Sequence, residues 1–288
     1  MRIRSLFDQA PPVFSFEFFP PRTEAGERSL LRTIENLRPL APSFVSVTYG
    51  AGGTTREKTI EIVGRIKREQ GLEAMAHLTC VGHSRDEIAA ILDRLAAAGL
   101  ENVLALRGDP PRGESTFVTP ANGFGHANEL VAFIVERGYP FCLAGAGYPE
   151  GHPECRDLDR DIAHLRAKVD AGVAVVITQL FYDNRGYFAF VERARRAGIS
   201  VPILPGIMPI TNVPQIERIT SLCGARIPDD LRARMRAADG DEAAVFAVGV
   251  AHALKQCRDL LAGGAPGIHF YTLNQSPATA AILAELRH

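Results

Sequence analysis

The chain of 288 residues has no Cys-x-x-Cys pair: its five cysteines (Cys80, Cys142, Cys155, Cys223, Cys257) are scattered and odd in number. That pattern argues against a disulfide framework and a cysteine-built zinc site, and for a reducing cytoplasm. No apolar run is long enough to span a bilayer, and Met1-Arg2-Ile3-Arg4 is followed by no signal-peptide core. A net charge of −1 gives no electrostatic case for nucleic acid or an anionic membrane. The histidines lack the H-x-x-x-H and H-x-x-E-H spacings of zinc enzymes, and phosphate-loop and nucleophile-elbow patterns are missing too. With 46% apolar and 23% charged residues, the expectation is a soluble, intracellular, metal-free globular protein.

What is present is a chain organised around Val13-Phe14-Ser15-Phe16-Glu17-Phe18-Phe19-Pro20-Pro21-Arg22. Its first seven residues read as a short aromatic β-strand closed by two prolines that cannot continue a ladder. Alternate side chains point to opposite faces, so Phe14, Phe16 and Phe18 share one face and Val13, Ser15 and Glu17 the other. Glu17 reads either as an edge-strand carboxylate reaching water or as an acid or base. A carboxylate among phenylalanines is costly to ionise, so the second reading carries a raised pKa.

The rest of the chain alternates. Strands are expected at 44–49, 73–79, 102–107, 141–146, 173–180, 202–206 and 267–272. Helices lie between them, at about 23–37, 54–70, 84–99, 126–137, 158–171, 187–197 and 213–222, with one or two more within 227–262. Thr54 with Glu57 and Ser84 with Glu87 form capping boxes, and Ser276-Pro277 opens a last helix as N-cap and N1. Eight strands separated by helices imply parallel pairing, and the length suits an α/β fold of the (β/α)8 TIM-barrel type, a single domain over 1–288. The doubly wound alternative would show a glycine-rich turn where this chain has Phe19-Pro20-Pro21.

In such barrels the site lies at the carboxyl ends of the strands. Those ends carry Glu17, Thr48, His77 with Thr79, Arg107 with Asp109, Tyr148, Gln179, Gly206, and Asn274 with Gln275. Singly each has a bland reading: Asp109 as a turn residue before Pro110, His77 as a satisfied core histidine. Together on one rim they suit a large, polar, partly anionic ligand. Gly50-Ala51-Gly52-Gly53-Thr54 reads equally as an anion cradle and as a tight turn.

These residues also resemble a known family. The stretch 14–22, Ser46-Val47-Thr48-Tyr49-Gly50-Ala51, His77-Leu78-Thr79-Cys80, Ala105-Leu106-Arg107-Gly108-Asp109, Tyr148-Pro149-Glu150, Ile177-Thr178-Gln179, Pro205-Gly206-Ile207 and Phe270-Tyr271-Thr272-Leu273-Asn274 resemble methylenetetrahydrofolate reductases. The resemblance runs in order from residue 13 to residue 274 and implies a barrel holding FAD. It implies that hydride passes from NADH or NADPH through FAD, in a ping-pong mechanism, to 5,10-methylenetetrahydrofolate, giving 5-methyltetrahydrofolate. Glu17 matches the general acid, Asp109 an aspartate beside flavin and pterin, and Gln179 and Gln275 substrate contacts. Thr48, Tyr49, Ala51, His77, Arg107, Gly108, Asp109, Ala127, Tyr148, His152, Asp161, His164 and Lys168 match FAD contacts. A cytoplasmic homo-oligomer is implied as well. Three positions depart from the pattern: Gln275 replaces an arginine, Ile219 an aromatic, and Val173 an alanine. The alternatives are a folate-binding methyltransferase barrel without flavin and a non-enzymatic flavoprotein.

Overall fold

The computed structural model describes residues 1–9, 11–21, 23–49, 53–110 and 116–287, with the side chains of 53–57 left aside. Nine strand segments form one parallel sheet: β1 (Val13–Phe18), β2 (Phe44–Val47), β3 (Ala74–Thr79), β4 (Asn102–Leu106), β5 (Cys142–Gly147), β6 (Val173–Thr178), β7 (Ile203–Leu204), β8 (Gly206–Ile207) and β9 (Gly267–Tyr271). Their order is β7-β6-β5-β4-β3-β2-β1-β9-β8. Segments β7 and β8 are one expected strand broken at Pro205, which has no N–H to give a ladder. Its carbonyl still accepts from His269 N at 2.9 Å. With β7 on β6 and β8 on β9, the broken strand closes the ring into the eightfold barrel.

Alternation along the strands divides the core in two. Phe14, Phe16, Phe18, Val45, Val47, Val103, Ile203 and Phe270 face outward and pack under the helices. Val13, Phe44, Met75, Leu104, Cys142, Val175 and Leu204 fill the lower lumen with Ile3, which comes from the segment ahead of β1. Higher in the lumen the inward residues turn polar: Ser15 and Glu17 on β1, Ser46 on β2, His77 on β3, His269 on β9, all buried. The barrel is therefore apolar at its floor and ionisable near its mouth.

Eleven α-helices accompany the strands among the described residues: α1 (Leu6–Gln9), α2 (Glu24–Leu37), α3 (Gly53–Gln70), α4 (Arg85–Ala97), α5 (Ala127–Glu136), α6 (Leu158–Ala171), α7 (Asn184–Arg196), α8 (Val213–Cys223), α9 (Asp229–Ala237), α10 (Glu242–Ala262) and α11 (Pro277–Leu286). Local chemistry sets most of their starts: Thr23, Asp157, Asp183, Asn212 and Asp241 accept first-turn N–H groups, and Ser84 with Glu87 makes the expected capping box. Two expectations are corrected. Helix α7 begins at Asn184 rather than Tyr187, because Asp183 caps it three residues earlier. Ser276 keeps Pro277 at N1 but has αR backbone and no side-chain cap bond. The Thr54/Glu57 box, the 50–54 cradle, Ala51 and Arg22 fall outside the described side chains.

Candidate active site

At the centre of the mouth, Glu17 Oε2 lies 3.3 Å from His269 Nε2 and 3.4 Å from His77 Nε2. His269 Nδ1 is 2.8 Å from Ser15 Oγ. A carboxylate can only accept, so Nε2 of His269 carries its proton and the Ser15 hydroxyl donates to Nδ1. Parallel register makes this possible, since Ser15 sits opposite His269 and Glu17 opposite Tyr271 across β1 and β9. His77 Nε2 and Ser46 Oγ are buried with no hydrogen-bond partner among the described residues.

The electrostatics correct one expectation. Burial pushes the Glu17 carboxyl up, but the charge of His77 and the hydrogen bond and charge of His269 outweigh it, and its pKa falls below the usual value. The phenylalanines lie on the other face of the strand, so they do not hold Glu17 protonated. Burial, opposed by the Glu17 charge, lowers His77 to about 4.

A second cluster lies on the β4–β5–α6 side. Arg107 follows β4 and is held end-on by Glu154, with both N–O distances 2.6 Å, while the Phe117 ring covers its guanidinium at 4.9 Å. Gly108 has φ +88°, and a Cβ there would stand 2.7 Å from Val81 Cγ1, so only glycine fits. Tyr148 packs edge-on to His152 at 4.6 Å. Burial above all, with the Asp109 and Asp161 charges adding, lifts the Tyr148 hydroxyl to about 12. Lys168 Nζ donates to the Ala146 carbonyl on β5 at 2.5 Å; burial, opposed by Asp161, lowers its ammonium to about 8. Asp161, nearly fully buried, is itself raised by burial against the pull of Lys168 and His152.

Gln179 spends its carbonyl oxygen on Leu180 N (2.8 Å), leaving its NH2 with no protein acceptor among the described residues. It lines a small rim cavity with Tyr148, Glu150 and Cys223. Asp109 is exposed, near enough for its charge to act on Tyr148 and Arg107. Thr48 is tied to β1 through Phe18 O, and the Tyr49 hydroxyl meets His83 Nε2 at 3.1 Å. Ala127 opens α5 and His164 is an exposed residue of α6. Gln275 is exposed beside Asn274, whose amide clamps both the N–H and C=O of Phe19, so Asn274 fastens the end of β1.

Sequence reasoning missed His269, Tyr271 and Glu154. The first two were legible as alternate inward positions of a strand ending at the mouth. Tyr271 donates to Thr178 O at 2.7 Å and stacks edge-on with His269. Glu154 had no local signal, because its partner Arg107 lies on a different strand end. Among the described residues, no three His, Cys, Asp or Glu side chains group as a metal site, and no helix is long and apolar enough to cross a membrane.

Fold and site together define a parallel (β/α)8 barrel with a buried carboxyl at its mouth and a cationic flank, the build of a barrel enzyme. The family model for methylenetetrahydrofolate reductase matches residues 2–287, and the chain belongs to that family. It is 39% identical to the 5,10-methylenetetrahydrofolate reductase of Salmonella typhimurium over 268 residues, covering 93% of this chain and 88% of that protein. It is 40% identical to methylenetetrahydrofolate reductase (NADH) 1 of Arabidopsis thaliana over 295 residues, 99% of this chain. The chain spans about half the length of that plant relative. Among solved structures it resembles an uncharacterized Clostridium thermocellum protein that binds two copies of 5-methyl-5,6,7,8-tetrahydrofolic acid. The TM-score is 0.72 at 13% identity, with 100% of this chain and 99% of that one covered, a likeness of fold.

Proposed function

We propose that the protein reduces 5,10-methylenetetrahydrofolate to 5-methyltetrahydrofolate with a nicotinamide donor and FAD, in one catalytic unit of residues 1–288, cytoplasmic and self-associating. The observation that carries the reading is the buried line Ser15–His269–Glu17 at a strand end. Opening the five-membered ring of the folate leaves a nitrogen that needs a proton, and Glu17 is the acid placed to give it. Its lowered pKa leaves the carboxyl ionised at rest, so the proton that Glu17 delivers is taken up from solvent in each cycle. A carboxyl kept permanently protonated by apolar walls is not required. Gln179 offers a free NH2 to the pterin, and the Asp109 charge favours cation developing on the folate.

The donor set fits FAD. Arg107 and Lys168, whose buried Nζ reaches only a backbone carbonyl, suit its pyrophosphate, and Asp161 a ribose hydroxyl. His77, Thr48, Tyr49, Tyr148, His152 and Asp109 complete that flank, with Ala51, Ala127 and His164 further positions of the same reading. When bound, FAD carries reducing equivalents between the nicotinamide and the folate. The plant relative's name specifies NADH, which supports NADH as the donor here. Gln275 would meet the folate tail as a neutral amide.

The test separates two half-reactions under nitrogen. Glu17→Gln keeps size and hydrogen bonding but removes the titratable proton. The expected variant takes up FAD and is bleached by NADH at near the wild-type rate, while reoxidation by methylenetetrahydrofolate falls roughly 10²–10⁴-fold. Equal loss in both steps would make Glu17 a structural residue instead. A colourless wild-type protein that stays colourless with added FAD would leave the flavin-free methyltransferase reading.

A further inference from the structure

We infer that Glu154 is a positioning residue for flavin: it holds the Arg107 guanidinium end-on so that the free side edge is presented to the pyrophosphate. The inference rests on the FAD reading above and goes beyond it by assigning a role to an acidic residue at an anion site.

A carboxylate beside a phosphate-binding arginine looks at first like a competitor. The pairing geometry says otherwise. Glu154 contacts only the two terminal nitrogens, at 2.6 Å each. A guanidinium has five N–H donors, so Nε and the second hydrogens of the terminal nitrogens remain, and among the described residues they meet no protein acceptor. One edge can therefore bind an oxyanion while the tip stays on Glu154. Phe117 covers one face of the group at 4.9 Å, which removes a further degree of freedom. Glu154 is itself anchored, because its backbone N–H donates to His152 Nδ1 at 3.1 Å and His152 packs edge-on against Tyr148. The chain of contacts Tyr148–His152–Glu154–Arg107 thus ties the loop after β5 to the end of β4. An unheld arginine on this rim would lose several rotamers on binding, and pre-fixing it raises affinity by removing that cost.

Competitor and positioner predict opposite signs. The experiment titrates apo protein with FAD and, separately, with riboflavin, which has the same ring and no phosphate, following flavin fluorescence. Positioning predicts that Glu154→Gln weakens FAD about fivefold, the upper end of what an exposed ion pair delivers, with riboflavin affinity unchanged. Glu154→Asp should recover part of the loss. In an Arg107→Met background, Glu154→Gln should have no further effect, because nothing is left to position. Tighter FAD binding by Glu154→Gln, equal weakening of FAD and riboflavin, or the same loss with Arg107 absent would each overturn the inference. If the wild type binds neither flavin, the FAD reading falls and this inference with it.

Discussion

Gly145 and Val173 show how a single site can be fitted. A Cβ on Gly145 would lie 3.2 and 3.3 Å from the two methyls of Val173, tighter than ordinary contact. The two residues sit on β5 and β6 beside a register shift between Leu143 and Ala144, where the backbone has little freedom to retreat. The bulk of Val173, one of the departures from the family pattern, is thus met by a glycine on the neighbouring strand, two residues along from its register partner Leu143. Gly145→Ala is expected to cost about 1–3 kcal/mol, as overpacking usually does. Adding Val173→Ala should return most of that loss, giving a coupling of roughly 0.5–3 kcal/mol in a denaturant-unfolding cycle. Additive single effects would sink the idea. At this scale the sequence was half legible. Alternation along β1 sorted Glu17 from the phenylalanines, but its ionisation depends on His77 and His269, which no local pattern pairs with it. The expected sign of its pKa shift was therefore reversed.

Helix α6 carries the cationic flank. Asp157 caps it, and Asp161 and Lys168, two turns apart, share the face that meets β5 and the His152 loop. Lys168 is lowered from 10.5 to about 8 because burial disfavours its charge. A pyrophosphate beside it favours the charged form, so binding raises that pKa. FAD affinity should then be full below about pH 8 and fall as pH rises through the bound-state value. Lys168→Met should bind FAD more weakly and lose that slope, as read by flavin titrations between about pH 7 and pH 10. The stability of the apo protein should move the other way. The unfolded chain keeps the proton up to its higher pKa, so lysine burial costs most below about pH 8 and is relieved as pH climbs toward 10.5. A wild-type slope identical to that of Lys168→Met would remove Lys168 from the flavin site. Element positions were the most legible feature, because caps and apolar runs are local: α6 matches its expected span of 158–171, and the run from Val173 contains β6. The break at Pro205 was missed because its carbonyl still bonds to β9 while its nitrogen cannot.

The whole molecule separates its two ends. The floor is apolar and plugged by the chain's first residues: Ile3 is fully buried in the lower lumen, its N–H donates to Asn102 Oδ1 at 2.8 Å, and the Met1 amine pairs with Glu73 and Glu101. The mouth holds Glu17, His77 and the Arg107–Lys168 flank. Parallel strands force this division, since every strand starts at the floor and ends at the mouth, and loops are free to vary only where they cover no core. Damage at the floor should therefore be read in stability and scarcely in binding. Ile3→Ala removes a side chain that seals the lower layer of Val13, Phe44, Met75 and Leu104, and should cost about 2–5 kcal/mol. For a chain of this size that corresponds to a fall in Tm of roughly 3–8 °C. Well below that temperature, FAD affinity should stay within a factor of about two of wild type, since flavin contacts are made at the opposite end. Calorimetry paired with flavin titration decides it. A variant of unchanged Tm would mean that the plug is loosely held. A variant that loses FAD while still folded would mean that the floor and the mouth share one mechanical unit.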